Sequence, residues 1–151
     1  MKSYLVFSDI HGDKLSLQKL KKLYEGLDGV FFAGDGYSAM KCFEKDEIYA
    51  VGGNCDLGGS AEIVAEIDGV RILLTHGHRY GVKSSLLSLS MRARELECAV
   101  AVFGHTHEPL LSYEPGVLLL NPGVSSGYGR KSYAVMHIEN GEVKVDMNTL
   151  K

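Results

Sequence analysis

Five short apolar runs in this chain stop abruptly at glycine, a carboxylate or a histidine: Tyr4 to Ser8, Gly29 to Ala33, Ile48 to Val51, Arg71 to Thr75 and Ala99 to Phe103. Runs of four or five residues bounded by turn residues are the pattern of buried strands. The residues that follow them are alike in kind: Asp9-Ile10-His11, Gly34-Asp35, Gly53-Asn54-Cys55-Asp56, His76-Gly77-His78 and Gly104-His105-Thr106-His107. Five of the six histidines fall in these segments. Imidazole and carboxylate suit borderline divalent ions, and several anions crowded into one cleft repel each other unless cations lie between them. The pattern therefore predicts polar groups delivered by strand ends to a metal site.

Helices are predicted between the strands. Asp13 can cap a helix carrying Leu17, Leu20, Leu23 and Leu27, and Lys83 to Glu97 places Leu86, Leu89, Ala93 and Leu96 on one face. After Pro109 the character changes to short strands, over Leu110 to Tyr113, Val117 to Leu120, Ser132 to Ile138 and Val143 to Met147, with Glu139-Asn140-Gly141-Glu142 as a hairpin turn. This order predicts an α/β fold of mixed sheets with helices outside. No repeat or linker divides the 151 residues, which read as a single domain, and a hydrophobic share of 45% is enough for a sizeable core. A net charge of -3 without a basic run gives no support for a nucleic-acid partner or an anionic membrane surface. The opening apolar stretch is too short for a signal peptide, and the three cysteines, Cys42, Cys55 and Cys98, show no disulfide or zinc-finger spacing. The expectation is a cytoplasmic protein.

Taken singly, each motif has an ordinary reading: Asp9, Asp35 and Asn54 all suit turns, and a loop histidine is commonly solvated. Jointly and in this order, DxH, GD, GNCD, HGH and GHTH resemble the calcineurin-like metallophosphoesterase superfamily, in particular its small YfcE-type phosphodiesterase branch. The resemblance runs from Asp9 to at least Asn121-Pro122-Gly123. It implies a four-layer αββα sandwich of two mixed β-sheets flanked by helices. It also implies a ligand set: Asp9, His11, Asp35 and His107 for one divalent ion, and Asp35, Asn54, His76 and His105 for a second. Asp35 would then bridge, since its two oxygens can fix two cations roughly 3.5 to 4 Å apart.

The expected reaction is hydrolysis of a small phosphodiester by a metal-bound hydroxide, with Asp35, Asn54, His76 and His105 at the reacting centre. The Asn54 amide can ligate with its oxygen and donate to a phosphate oxygen from its nitrogen. A second donor could be His78 or Arg79; His78 has two readings, a phosphate-facing donor or a histidine behind the ligands or at the surface, while Arg79, Arg130 and Lys131 read more readily as surface charges. Two departures stand out. Many larger relatives carry histidine where Cys55 stands, which leaves the general acid unassigned and gives Cys55 a structural or tuning role. Gly36-Tyr37-Ser38 replaces a more familiar acidic continuation, and Tyr37 has readings as a cleft-lining ring or a loop residue. Asp56 is expected to orient the loop or a ligand histidine, and His137 to be a solvent-facing strand residue. The N/O ligand set admits Mn, Fe, Ni, Co or Zn, with Mn2+ the first choice. Competing readings are a phosphomonoesterase or nucleotidase, and a non-catalytic interaction module such as the retromer subunit with this fold. A homodimer is compatible with the family.

Overall fold

The computed structural model describes residues 1–44 and 47–151. Two five-stranded mixed sheets lie face to face. In the first, β1 (Lys2–Phe7), β2 (Gly29–Phe32) and β3 (Glu47–Ala50) run parallel. β9 (Lys131–Glu139) and β10 (Glu142–Leu150) extend that sheet antiparallel from the β1 side. In the second, β5 (Val70–Thr75), β6 (Val100–Val102) and β8 (Val117–Asn121) are the parallel centre, with β4 (Glu62–Ile67) and β7 (Leu110–Glu114) antiparallel at the edges.

Strand alternation makes the layers. Along β1, Tyr4 and Val6 enter the core between the sheets, where they join Phe31, Ile72, Leu74, Val102, Leu120 and Met136. Leu5 and Phe7 point the other way, onto Leu20 and Tyr24 of α1 (Lys14–Tyr24) and onto Met40 and Phe43. On the second sheet, Leu73, Ala101 and Leu119 meet Leu89 and Ala93 of α2 (Leu87–Glu95). Strands buried on both faces lose the polar alternation of a half-exposed strand, which is why β1, β2 and β5 read as continuous apolar runs. The expected four-layer sandwich is what forms.

Local signals account for most boundaries. The Asp13 carboxylate accepts from the Ser16 amide at 3.1 Å and starts α1. Asn140 and Gly141, both at positive φ, turn β9 into β10. One strand is additional to the expectation: β4, whose Ile63, Ala65 and Ile67 face the core while Glu62, Val64 and Glu66 face outward. It pairs with β5 through an Asp68-Gly69 turn with both residues at positive φ. α2 is shorter than the predicted Lys83 to Glu97. The amides of Ser84 and Ser85 both donate to Gly81 O, and the Ser85 hydroxyl accepts from Leu87 N, so this serine-rich lead-in forms turns instead of helix. At the other end Glu97 takes a left-handed conformation and Cys98 N donates back to Ala93 O, a Schellman stop. His137 is half-buried, its Nδ1 2.7 Å from the Ser3 hydroxyl and its Nε2 3.1 Å from Asp146. No helix among the described residues is long and apolar enough to cross a membrane.

Candidate metal centre

The carboxyl ends of β1, β2, β3, β5 and β6 open onto one edge of the sandwich, the position where open α/β sheets place ligand-binding loops. Asp9 and His11 follow β1, Asp35 follows β2, Asn54 follows β3, His76 follows β5, and His105 and His107 follow β6. Asp9 is fully buried, Asp35 nearly so, and His76 fully. Asn54 is exposed, His105 is intermediate, and His11 and His107 stand open to solvent.

The backbone bends sharply to deliver these groups. Asp9, His11, Asp35, His105 and His107 make up five of the eight non-glycine residues with positive φ among the described residues. Strain of this kind, of order 1–3 kcal/mol per residue, collects at functional sites. Glycines clear the space between loops. A Cβ on Gly53 would sit 2.1 Å from Asp35 Oδ1, and one on Gly104 would sit 2.9 Å from Asp9 Oδ2.

The donor atoms converge on Asp9. Its Oδ2 accepts from the Ser8 hydroxyl at 2.7 Å and from His105 N at 3.3 Å. Its Oδ1 is buried with no hydrogen-bond partner, while His107 Nε2 lies 3.3 Å away, His11 Nε2 3.7 Å and His76 Nε2 3.9 Å. His76 Nδ1 lies 2.7 Å from the Ala33 carbonyl and must donate to it. In the neutral ring, Nε2 is then a bare acceptor. That nitrogen nevertheless faces Asn54 Oδ1 at 2.9 Å and Asp35 Oδ2 at 3.3 Å. Lone pairs aimed at lone pairs are relieved by a cation or a proton among them. No lysine or arginine among the described residues pairs with either Asp9 or Asp35, and a buried, unpaired carboxylate is costly. Two donor sets lie close enough to hold an ion, Asp9-His11-His107 and Asp9-Asp35-His76. Both include Asp9, while Asp35, the expected bridge, belongs to the second alone.

The remaining residues surround these sets. The His105 ring centre is 5.0 Å from that of His76, and the His78 ring centre is 5.4 Å from it. Burial pushes the pKa of both His78 and His105 down, which keeps them neutral near pH 7. The exposed Cys55 gives its backbone N–H to Asp35 Oδ1 at 2.9 Å. The Asp35 carboxylate beside it pushes the Cys55 thiol up. Asp56 staples loops: Oδ2 accepts from Asp35 N at 2.9 Å and Gly53 N at 2.8 Å, and Oδ1 from Gly36 N at 2.9 Å and Tyr37 N at 3.1 Å. Burial alone would raise its pKa; those four amides outweigh it and hold the carboxyl below its ordinary value.

Sequence reasoning passed over several supporting residues. Ser126 donates its hydroxyl to the Asp9 carbonyl at 2.6 Å. Asn121 donates to Gly104 O at 3.2 Å and to Thr106 Oγ1 at 2.9 Å, fixing the loop that carries His105 and His107. Glu62 accepts from the Arg92 guanidinium at 2.6 Å and from the Tyr80 hydroxyl, which anchors the segment after His76-Gly77-His78 to β4 and α2. Asn121-Pro122-Gly123 was a visible signal for the second of these. The serine and the glutamate carried none.

The chain resembles known proteins over most of its length. The calcineurin-like phosphoesterase superfamily domain matches residues 1–141. A probable metallophosphoesterase of Bacillus subtilis, YsnB, is 33% identical over 147 residues, covering 93% of this chain and 87% of that protein. Among solved structures, a predicted phosphoesterase from Streptococcus pneumoniae superposes with a TM-score of 0.82 at 31% identity, covering 98% of this chain and 89% of the other. An archaeal phosphodiesterase superposes with a TM-score of 0.78 at 26% identity, covering 97% and 99%.

Proposed function

Because the chain belongs to the calcineurin-like phosphoesterase superfamily, we propose that it hydrolyses small phosphodiesters with two divalent ions held by Asp9, His11, Asp35, Asn54, His76, His105 and His107. Metal-dependent phosphoester hydrolysis is the chemistry of the family and of the relatives it matches; the name of the archaeal neighbour favours the diester. The observation that carries the reading is the convergence of acceptor atoms on Asp9 Oδ1, a buried carboxylate oxygen with no donor.

Asp9 with His11 and His107 would hold one ion, and Asn54, His76 and His105 the other, with Asp35 between them. Bound there, divalent cations supply Lewis acidity toward a phosphoryl oxygen and lower the pKa of water. The chain's own residues do the rest. The His76 tautomer is set by the Ala33 carbonyl, so its Nε2 lone pair is aimed into the site without reorganisation. Exposed at the mouth of the site, Asn54 can present its Nδ2 hydrogens to a phosphate oxygen. The Ser8 hydroxyl is buried and committed to Asp9 and to Gly123 O, so it is no nucleophile, and the reading takes water as the attacking group. Manganese is the first choice of ion. A cytoplasmic location belongs to this reading, because cysteines without a disulfide suit a reducing compartment.

The test is hydrolysis of bis(p-nitrophenyl) phosphate and p-nitrophenyl phosphate by metal-stripped protein with and without Mn2+, alongside His107→Ala. Diester cleavage that needs Mn2+, outpaces the monoester and falls at least a hundredfold in the variant supports the proposal. A faster monoester would indicate a phosphomonoesterase. No turnover with any divalent metal would favour the interaction module.

A further inference from the structure

One imidazole away from His76 lies a second polar feature, a pocket of about 200 Å3 between the glycine-rich loop 52–61 and the His78-Arg79 step. Its lining is rich in donors. His78 Nδ1 is buried and has no hydrogen-bond partner. Among the described residues the Arg79 guanidinium has no ion pair, and Glu62, which feels its charge, is already held by Arg92 and Tyr80. In the loop, the amides of Gly58 and Gly59 make no backbone hydrogen bond with described residues. A Cβ on Gly59 would come 2.7 Å from Gly52 N, so glycine is needed for this close fold-back. The carboxylate in the lining, Asp56, has both oxygens spent on four backbone amides.

We propose that this pocket binds a second anionic group of the substrate, a phosphate or carboxylate carried on one arm of the diester. Arg79 and the Gly58 and Gly59 amides are its donors. A lining of free N–H groups with its one carboxylate already satisfied selects an anion over a cation or a neutral group. The volume is below the 300 Å3 at which drug-sized pockets begin, which suits a small anion and is too small for a nucleobase with its sugar. His78 forms the shared wall, its ring centre 5.4 Å from that of His76 and 6.0 Å from that of His105. A diester seated on the metal centre would therefore reach the pocket through a short arm. This assignment rests on the phosphodiesterase reading and narrows its substrate class to diesters bearing a further negative charge.

The test compares two near-isosteric esters, 2-carboxyethyl p-nitrophenyl phosphate and propyl p-nitrophenyl phosphate, in wild type, Arg79→Gln and Arg79→Lys. The ratio of their kcat/KM values cancels any general loss of activity. It should be at least about tenfold in favour of the carboxylate in wild type, expressed mainly in KM, and should fall to within about twofold in Arg79→Gln with Arg79→Lys between. A wild-type ratio of one or less, or equal ratios in wild type and Arg79→Gln, overturns the pocket assignment. Should neither ester turn over, the phosphodiesterase reading fails, and the pocket is decided by titrating 15N-labelled protein with inorganic phosphate. Shifts of the Gly58 and Gly59 amides that vanish in Arg79→Gln sustain it; no shift there in wild type overturns it.

Discussion

At Asp9 a fully buried carboxylate keeps one oxygen hydrogen-bonded and turns the other toward three imidazole nitrogens with no donor in place. Without metal this is a standing cost, because desolvating an unpaired charge is unfavourable. Asp9→Asn should therefore stabilise the metal-free protein, by about 1–2 kcal/mol in urea unfolding, while removing the stabilisation that added metal confers. At Gly53 even one methyl group is too much. Gly53→Ala should push Asp35 aside, side chain and backbone together, and lower turnover of p-nitrophenyl diesters at least tenfold, since the new Cβ would lie 2.1 Å from Asp35 Oδ1 and 2.6 Å from Asp35 N. Cys55 differs from both. Its side chain is exposed; its backbone N–H, which any residue retains, donates to Asp35 Oδ1, and its Sγ accepts only a long contact of 3.5 Å from Asn54 Nδ2. Cys55→Ala should keep both its metal and at least about a third of wild-type kcat on p-nitrophenyl diesters, whose leaving group needs little protonation. Loss of nearly all turnover with metal retained would make the thiol the general acid.

At the scale of elements, the strand ends are what the chain specifies most strongly, and the loops after them are held by a few side chains. The Glu62-Arg92-Tyr80 cluster joins β4, α2 and the segment after His78. Burial alone would raise the Glu62 pKa, and the hydrogen bonds from Arg92 and Tyr80 bring it below its ordinary value. A carboxyl lowered in the folded state contributes stability above its unfolded value and loses it as pH falls through the folded one. Glu62→Gln should thus be less stable than wild type by about 1–2 kcal/mol at pH 7, with the gap closing below about pH 4 in urea titrations. The legibility of the elements follows the same physics. Strands buried on both faces announce themselves as apolar runs, and the turns Asn140-Gly141 and Asp13 onward carry their own chemistry. β4 was hidden because its outward face is Glu62, Val64 and Glu66, so an alternating edge strand reads as a polar stretch after a glycine loop, although its Asp68-Gly69 turn was a usable sign. α2 was overdrawn because periodicity in its leucines continues past the serines that compete for its first turn.

For the whole molecule, the important fact is that the site sits on the seam between two sheets. Asp9, His11, Asp35 and Asn54 come from the first, and His76, His105 and His107 from the second. The residue types and their order announced in advance which side chains gather at this seam. Which oxygen lacks a donor, and that the donor sets converge on Asp9, depended on how the sheets pack and could not be read from a linear pattern. An ion held across the seam ties the layers together, so metal should act as a structural clamp as well as a reagent. At a free metal concentration of 100 Kd the stabilisation is about 2.7 kcal/mol, which for a domain of this size raises the Tm by roughly 5–10 °C over the chelated protein. Calorimetric heating with and without EDTA measures it, and an unchanged Tm would deny the clamp. The central claim, that the buried acceptors around Asp9 exist to hold divalent cations, is tested most directly by titrating Mn2+ into metal-stripped wild type and Asp9→Asn in an isothermal calorimeter. The account predicts two ions bound per wild-type chain and at least a hundredfold weaker binding with loss of stoichiometry in the variant. Equal affinity and stoichiometry in the two proteins would contradict it.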